Sequence, residues 1–238
     1  MSIPRLALRQ TFAVRRIISR AHATLPLRRF VATTGIPTDQ PKQEIPRKDS
    51  TQEMLQATLP YIQQHGWTMD AMTQGAKSLG YPSVAHGVFP GGEAGLVDAF
   101  LADCRRRFIA MAEERQNTGQ FEGYTVNEKV KMLTIMRIGM MKPYIKTWPE
   151  ALAIMAHPTN VPMSLKHLSE VVDDIWFYAG DRSPDMDWYT KRASLAAIYS
   201  STEVFMTQDV SPNHAETFRF LNRRLDEVAW IDASARQV

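Results

Sequence analysis

Between Glu93 and Glu114, large apolar side chains return every three or four positions: Leu96, Val97, Phe100, Leu101, Cys104, Phe108 and Met111. That spacing places them on one face of a helix and leaves the charged residues on the other. The same rhythm recurs along most of the chain. Leu55, Leu59 and Ile62 follow Ser50-Thr51-Gln52-Glu53, which fits a capping box opening a first helix, and Pro60 is expected to interrupt and kink it. Thr68 can cap a second helix ending at Gly80, and Pro82 or Ser83 opens a short third. The Glu93–Glu114 helix is the fourth. A loop from Gln116 to Gly123 leads to a fifth, Val126 to Met141. Thr147-Trp148-Pro149-Glu150 starts a sixth, with proline at an early helical position. Breaks at 158–162 and 181–185 set off a seventh helix, to Ala179, and an eighth, Asp187 to Thr207. Ser211-Pro212 opens a ninth, to about Trp230. No run alternates in the way a half-buried strand requires. The expected fold class is all-α, a bundle of about nine helices without internal repeats.

Composition changes this picture only at the N-terminus. The 238 residues suffice for a sizeable core. No stretch of about 18 apolar residues offers a membrane-crossing helix. The single cysteine, Cys104, excludes an intrachain disulfide framework and suits a reducing compartment. Its place on the apolar stripe makes it a buried structural thiol. The formal charge of +3 hides an asymmetry. Seven arginines (5, 9, 15, 16, 20, 28 and 29) precede Asp39 with no acid among them, leaving 21 basic residues against 25 acidic ones in the remainder. Arg5, Arg9, Arg16 and Arg20 share one side of a helical wheel, opposite Ile3, Leu6, Ala7, Val14, Ile17 and Ile18. An Arg-rich, acid-free amphipathic helix has the composition of a mitochondrial transit peptide, here residues 1–30, followed by a proline-rich linker, 31–49. A disordered basic arm or a surface-bound helix is the competing reading.

Residues 65–92, HGWTMDAMTQGAKSLGYPSVAHGVFPGG, have the grammar of a helix-turn-helix. A DNA reader needs base-reading side chains and cations for phosphates. No lysine or arginine occurs from Ser78 to Cys104; His86 alone can become cationic, and Glu93 and Asp98 add negative charge. The expectation is a packing head rather than a nucleic-acid reader.

Catalytic patterns are missing. The sequence has no Gly-rich phosphate loop, no G-x-S-x-G and no paired cysteines. No Glu is followed by His at the third position, as a helical di-iron site would want. His167 and Glu170 have the reverse order and are expected to be a surface pair. No catalytic residue, metal ligand or cofactor is therefore assigned. Two features remain. Thirteen methionines, with Met132, Met136, Met140 and Met141 crowded together and Met155 and Met163 soon after, either fill the core or line a cavity for a flexible apolar ligand. In VVDDIWFYAGD, Leu165, Leu168, Val172 and Ile175 mark the expected buried side, with Trp176 at its border. Asp174, Phe177 and Tyr178 point the other way. Aromatics mixed with acids on a wet face suit either a protein docking patch or a second packing helix.

Two resemblances bear on these alternatives. Residues 50–101 resemble the N-terminal helix-turn-helix of TetR-type regulators. The segments YIKTWPEALAIMAHPTNVPMSL, VVDDIWFYAGDRSPDMDWYTKRASLAAIYSSTEVFMTQDVSP and FLNRRLDEVA resemble the Coq nine family of mitochondrial ubiquinone biosynthesis proteins, and the similarity spans about residues 50–238. The resemblance implies a TetR-like fold, with a head (50–92) and a lipid-binding body (93–238). It implies a homodimer that binds isoprenoid quinone lipid without catalysing a reaction or binding nucleic acid. It implies support of the di-iron demethoxyubiquinone hydroxylase, and peripheral contact with the matrix side of the inner membrane. Family members continue past the equivalent of Ala235–Val238 into a membrane-touching amphipathic helix. The present sequence runs to Val238, so it is either a shortened form or meets the membrane by another surface. The family's hydroxylase-docking patch maps onto Asp173, Asp174, Trp176 and Tyr178. Replacing Trp176 with Lys would then abolish docking while sparing the fold. Helix phase nominates Met132, Met136, Met140, Met155, Leu168, Ile175, Ile198 and Phe205 as lipid-lining residues. The competing function is a ligand-responsive DNA-binding regulator of the TetR type.

Overall fold

The computed structural model describes residues 48–82, 87–181 and 187–235, and among them it contains eight α-helices and no strand. These are α1 (Lys48–His65), α2 (Met69–Ser78), α3 (Glu93–Asn117), α4 (Val126–Gly139), α5 (Trp148–Ala156), α6 (Val161–Ala179), α7 (Asp187–Gln208) and α8 (Ala215–Ala235). They correspond to eight of the nine expected helices. The expected third helix, with His86, falls mainly on residues outside those described. The expected transit peptide lies outside them too, as does the expected linker as far as the start of α1.

Local chemistry sets the helix ends. α2 and α6 both stop at a glycine in the left-handed region, Gly80 (φ 75°) and Gly180 (φ 87°). In each case the next N–H reaches five residues back, Tyr81 to the Ala76 carbonyl at 3.0 Å and Asp181 to the Trp176 carbonyl at 3.1 Å. This closure satisfies carbonyls that the helix end would orphan. α4 opens on a capping box: the Glu128 N–H donates to Thr125 Oγ1 at 3.4 Å, and the Thr125 N–H donates to Glu128 Oε2 at 2.8 Å. Two expectations need correction. α1 begins at Lys48, so Ser50 lies inside its first turn rather than at its cap. It also continues through the exposed Pro60 without interruption, because burial of Leu59 and Ile62 on either side holds that turn together.

Two apolar cores share α3, whose 25 residues extend about 37 Å. Its first half, Leu96 to Cys104, packs with Met54, Leu55, Ile62, Trp67, Met72, Phe89 and Trp148. Trp67, Phe100, Tyr144 and Trp148 form an edge-to-face aromatic group there, with centroids 4.9 Å apart for Trp67–Phe100 and 5.0 Å for Phe100–Tyr144. The second half of α3 contributes Phe108 and Ala112 to a core with Leu133, Ile138, Val172, Ile175, Trp176, Leu195, Tyr199 and Leu221. α1 and α2 cross tightly at Gly75. A Cβ there would lie 2.4 Å from Thr58 Oγ1 and 2.9 Å from Thr58 Cα. Cys104 is fully buried, and burial pushes its thiol up, away from the reactive thiolate.

Candidate functional site

Four helices of the body, with Leu101 of α3, surround a cavity of about 240 Å³. α5 supplies Leu152, Met155 and Ala156. α6 supplies Ser164, Leu165, His167, Leu168 and Val171, one side of its wheel over two turns. α7 supplies Tyr199, Ser200, Glu203 and Val204, and α4 supplies Arg137. The walls are thus mostly apolar, with polar groups contributed by α4, α6 and α7. A second groove of about 380 Å³ lies between α6 and α7 and shares Leu165 and Leu168 with the first.

The polar groups are unusual for such walls. Arg137 is 1% exposed and its guanidinium lies 5.9 Å from the Tyr199 ring centroid. Burial pushes the Glu203 carboxyl up to about 7, against the opposing pull of the Arg137 charge and the nearby Tyr199 hydroxyl. Burial likewise raises the Tyr199 phenol well above its ordinary range. His167 is 6% exposed and its Nε2 lies 2.6 Å from Asp98 Oδ1 on α3, with Glu170 at 3.8 Å from Nδ1. The hydrogen bond from His167 holds the Asp98 carboxyl below the usual range. His167 and Glu170 are therefore no surface pair: the imidazole is buried between α6 and α3. Among the described residues no group of three or more His, Cys, Asp or Glu is placed to hold a metal.

Of the eight residues nominated for lipid, Met155 and Leu168 line the cavity. Ile175 and Ile198 are buried in the second core, and Met132 and Met136 pack against it. Met140 touches both cores. Phe205 faces outward and stacks on Phe220, centroids 4.8 Å apart. Helix phase identified inward positions except at Phe205, and could not tell core from cavity. The polar side chains that mark the cavity were missed, although Arg137 is the lone charge in MLTIMRIGMM, residues 132–141.

The VVDDIWFYAGD segment is likewise rearranged. Trp176 is 7% exposed and packs in the second core, with Lys191 Nζ 5.6 Å from its ring. A lysine there would enter the core, so Trp176→Lys tests folding before docking. Asp174 takes two bonds from Arg105, at 2.6 and 3.0 Å, and Arg105 also meets Glu170 at 3.0 Å. Asp173 pairs with Arg192 at 2.6 Å, and the Tyr178 hydroxyl donates to Glu113 at 3.0 Å. Phe177, 70% exposed, presents its ring to solvent beside Tyr178.

A family model described as COQ9 matches residues 161–232, which hold all of the cavity's α6 and α7 walls. The human "Ubiquinone biosynthesis protein COQ9, mitochondrial" is 39% identical over 208 residues, 84% of this chain and 65% of the human protein. The rat protein of the same name is 39% identical, with 84% of this chain and 67% of the relative covered. The chain belongs to the COQ9 family. It spans about two thirds of the length of these COQ9 relatives. The architecture is also found in a TetR transcriptional regulator from Nitrosomonas europaea, with a TM-score of 0.61 at 18% identity, covering 76% of this chain and 99% of that one. At such low identity the likeness extends to the fold alone.

Proposed function

We propose that this COQ9-family chain is a noncatalytic lipid-binding accessory protein of ubiquinone biosynthesis. In this reading it acts in mitochondria, on the matrix side of the inner membrane, as a homodimer. It holds an isoprenoid quinone intermediate and presents it to the di-iron demethoxyubiquinone hydroxylase. The observation that carries the reading is the largely aliphatic cavity between α4 and α7, built mainly from the stretch that matches the family. An isoprenoid tail in water costs about 0.8 kcal/mol for each exposed CH₂. Aliphatic walls offset that cost, and Leu165 and Val204, 59% and 50% exposed, extend the apolar surface beyond the rim. The regulator reading gains nothing beyond the fold, since the Ser78–Cys104 stretch lacks lysine and arginine.

Mass spectrometry of lipid extracted from the purified protein tests the reading. An isoprenoid quinone or its precursor is expected; phospholipid alone, in the proportions of the host membrane, would overturn it. The docking half is tested with Phe177→Ser, which changes the wet side of α6 and leaves the core alone. Loss of hydroxylase co-purification is expected, and undiminished co-purification would refute that surface.

A further inference from the structure

Arg137 is costly to the fold. Its Nε and Nη1 atoms are buried and have no hydrogen-bond partner among the described residues. A guanidinium cannot escape burial by losing its proton. Buried donors without acceptors are rare, and each calls for an explanation. Its neighbours do not supply one. Asp174 is held by Arg105, the Tyr199 ring lies beside the guanidinium as a neutral phenol, and the Glu203 carboxyl, pushed up to about 7, is half protonated near neutrality. Arg137 lines a cavity whose other walls include Leu101, Leu168 and Val171. At about 240 Å³ the cavity is below the roughly 300 Å³ at which drug-sized ligands are usually enclosed. It has room for a ring with the first part of its tail, and not for a whole polyprenyl lipid.

We propose that this cavity is a head-group site, in which Arg137 donates hydrogen bonds to an acceptor oxygen on the quinone or phenol ring of the lipid, while the tail leaves over Leu165 and Leu168 into the groove between α6 and α7. The assignment rests on the lipid-binding reading above and adds a polarity to it: head inward, tail outward. The groove fits the second role. Val172, Trp188, Ala193 and Ala196 give it apolar walls beside Asp173 and Arg192, and Leu165 and Leu168 line both the cavity and the groove, so the two lie side by side.

The test uses the full chain and two probes of the same shape, decyl-benzoquinone and decylbenzene, which differ in the acceptor oxygens. Titration calorimetry compares wild type, Arg137→Met and Arg137→Lys, with thermal melting to confirm that each is folded. Wild type should prefer the quinone. Arg137→Met should weaken quinone binding by roughly tenfold or more, the scale of a charged hydrogen bond, and leave decylbenzene unchanged. Arg137→Lys keeps the charge without the planar fork, should fall between, and serves alone if the methionine variant does not fold. Equal binding of the two probes by wild type, or a quinone preference that survives in either variant undiminished, overturns the head-group site and spares the lipid-binding reading. Dependence on Arg137 seen with dodecanoate but not with the quinone overturns the quinone assignment. Wild type binding neither probe overturns both readings.

Discussion

Glu203 offers a direct measure of how dry the cavity wall is. Its carboxyl has an ordinary value of 4.5 and is pushed up to about 7 in the fold, chiefly by burial. A group whose value is raised on folding lends stability that is complete below the unfolded value and is lost as pH rises through the folded one. The loss therefore falls between about pH 4.5 and just above 7, and amounts to roughly 3 kcal/mol. This is an upper limit, because the residue is partly exposed. Glu203→Gln imitates the protonated acid and removes the titration. Wild type and variant should melt together near pH 5. Near pH 8 the variant should melt higher, by up to about 5–10 °C for a chain of this size. Paired calorimetric scans at half-unit steps from pH 5 to 8.5 give the comparison. A melting difference that does not change with pH, or a variant less stable than wild type at pH 8, would refute the argument that burial outweighs the attraction of Arg137.

Gly75→Ala should lower stability by about 1–2 kcal/mol, since overpacking against the Thr58 backbone outweighs the gain in helix propensity; the urea midpoint at constant slope measures it. Thr125→Ala removes one half of the α4 capping box and should cost about 1 kcal/mol, read from the same denaturation curve. Trp176→Ala should cost about 3–5 kcal/mol, while Phe177→Ser should stay within about 0.5 kcal/mol of wild type. A reversal of that order would mean that α6 buries the other face.

Periodicity and punctuation made the helices legible. Gly80 and Gly180 mark helix ends because only a left-handed residue closes those turns, and Pro149 sits at an early helical position as expected. The face of α6 was less legible. Leu165 was expected inside and is 59% exposed, whereas His167, expected at the surface, is buried. A helical wheel ranks positions by polarity, yet His167 is held inside by Asp98, 69 residues earlier on another helix. No local pattern records that partner. The same limit applies to the cavity. Methionine abundance pointed to apolar interior space, but the polar groups that mark the space are Arg137 on α4 and Tyr199 and Glu203 on α7, more than 60 residues away along the chain. Arg137 was visible as a lone charge in an apolar run, and its weight emerges once its surroundings are known.

The continuity of α3 ties these parts together. One unbroken helix carries buried side chains of both cores, Leu96 to Cys104 in one and Phe108 and Ala112 in the other. A change in the position of α3 in one core is therefore passed along the helix to the other. The expected consequence is that the α1–α2 layer and the cavity-bearing helices unfold together, so that a lipid in the cavity should raise the melting temperature of a layer it never touches.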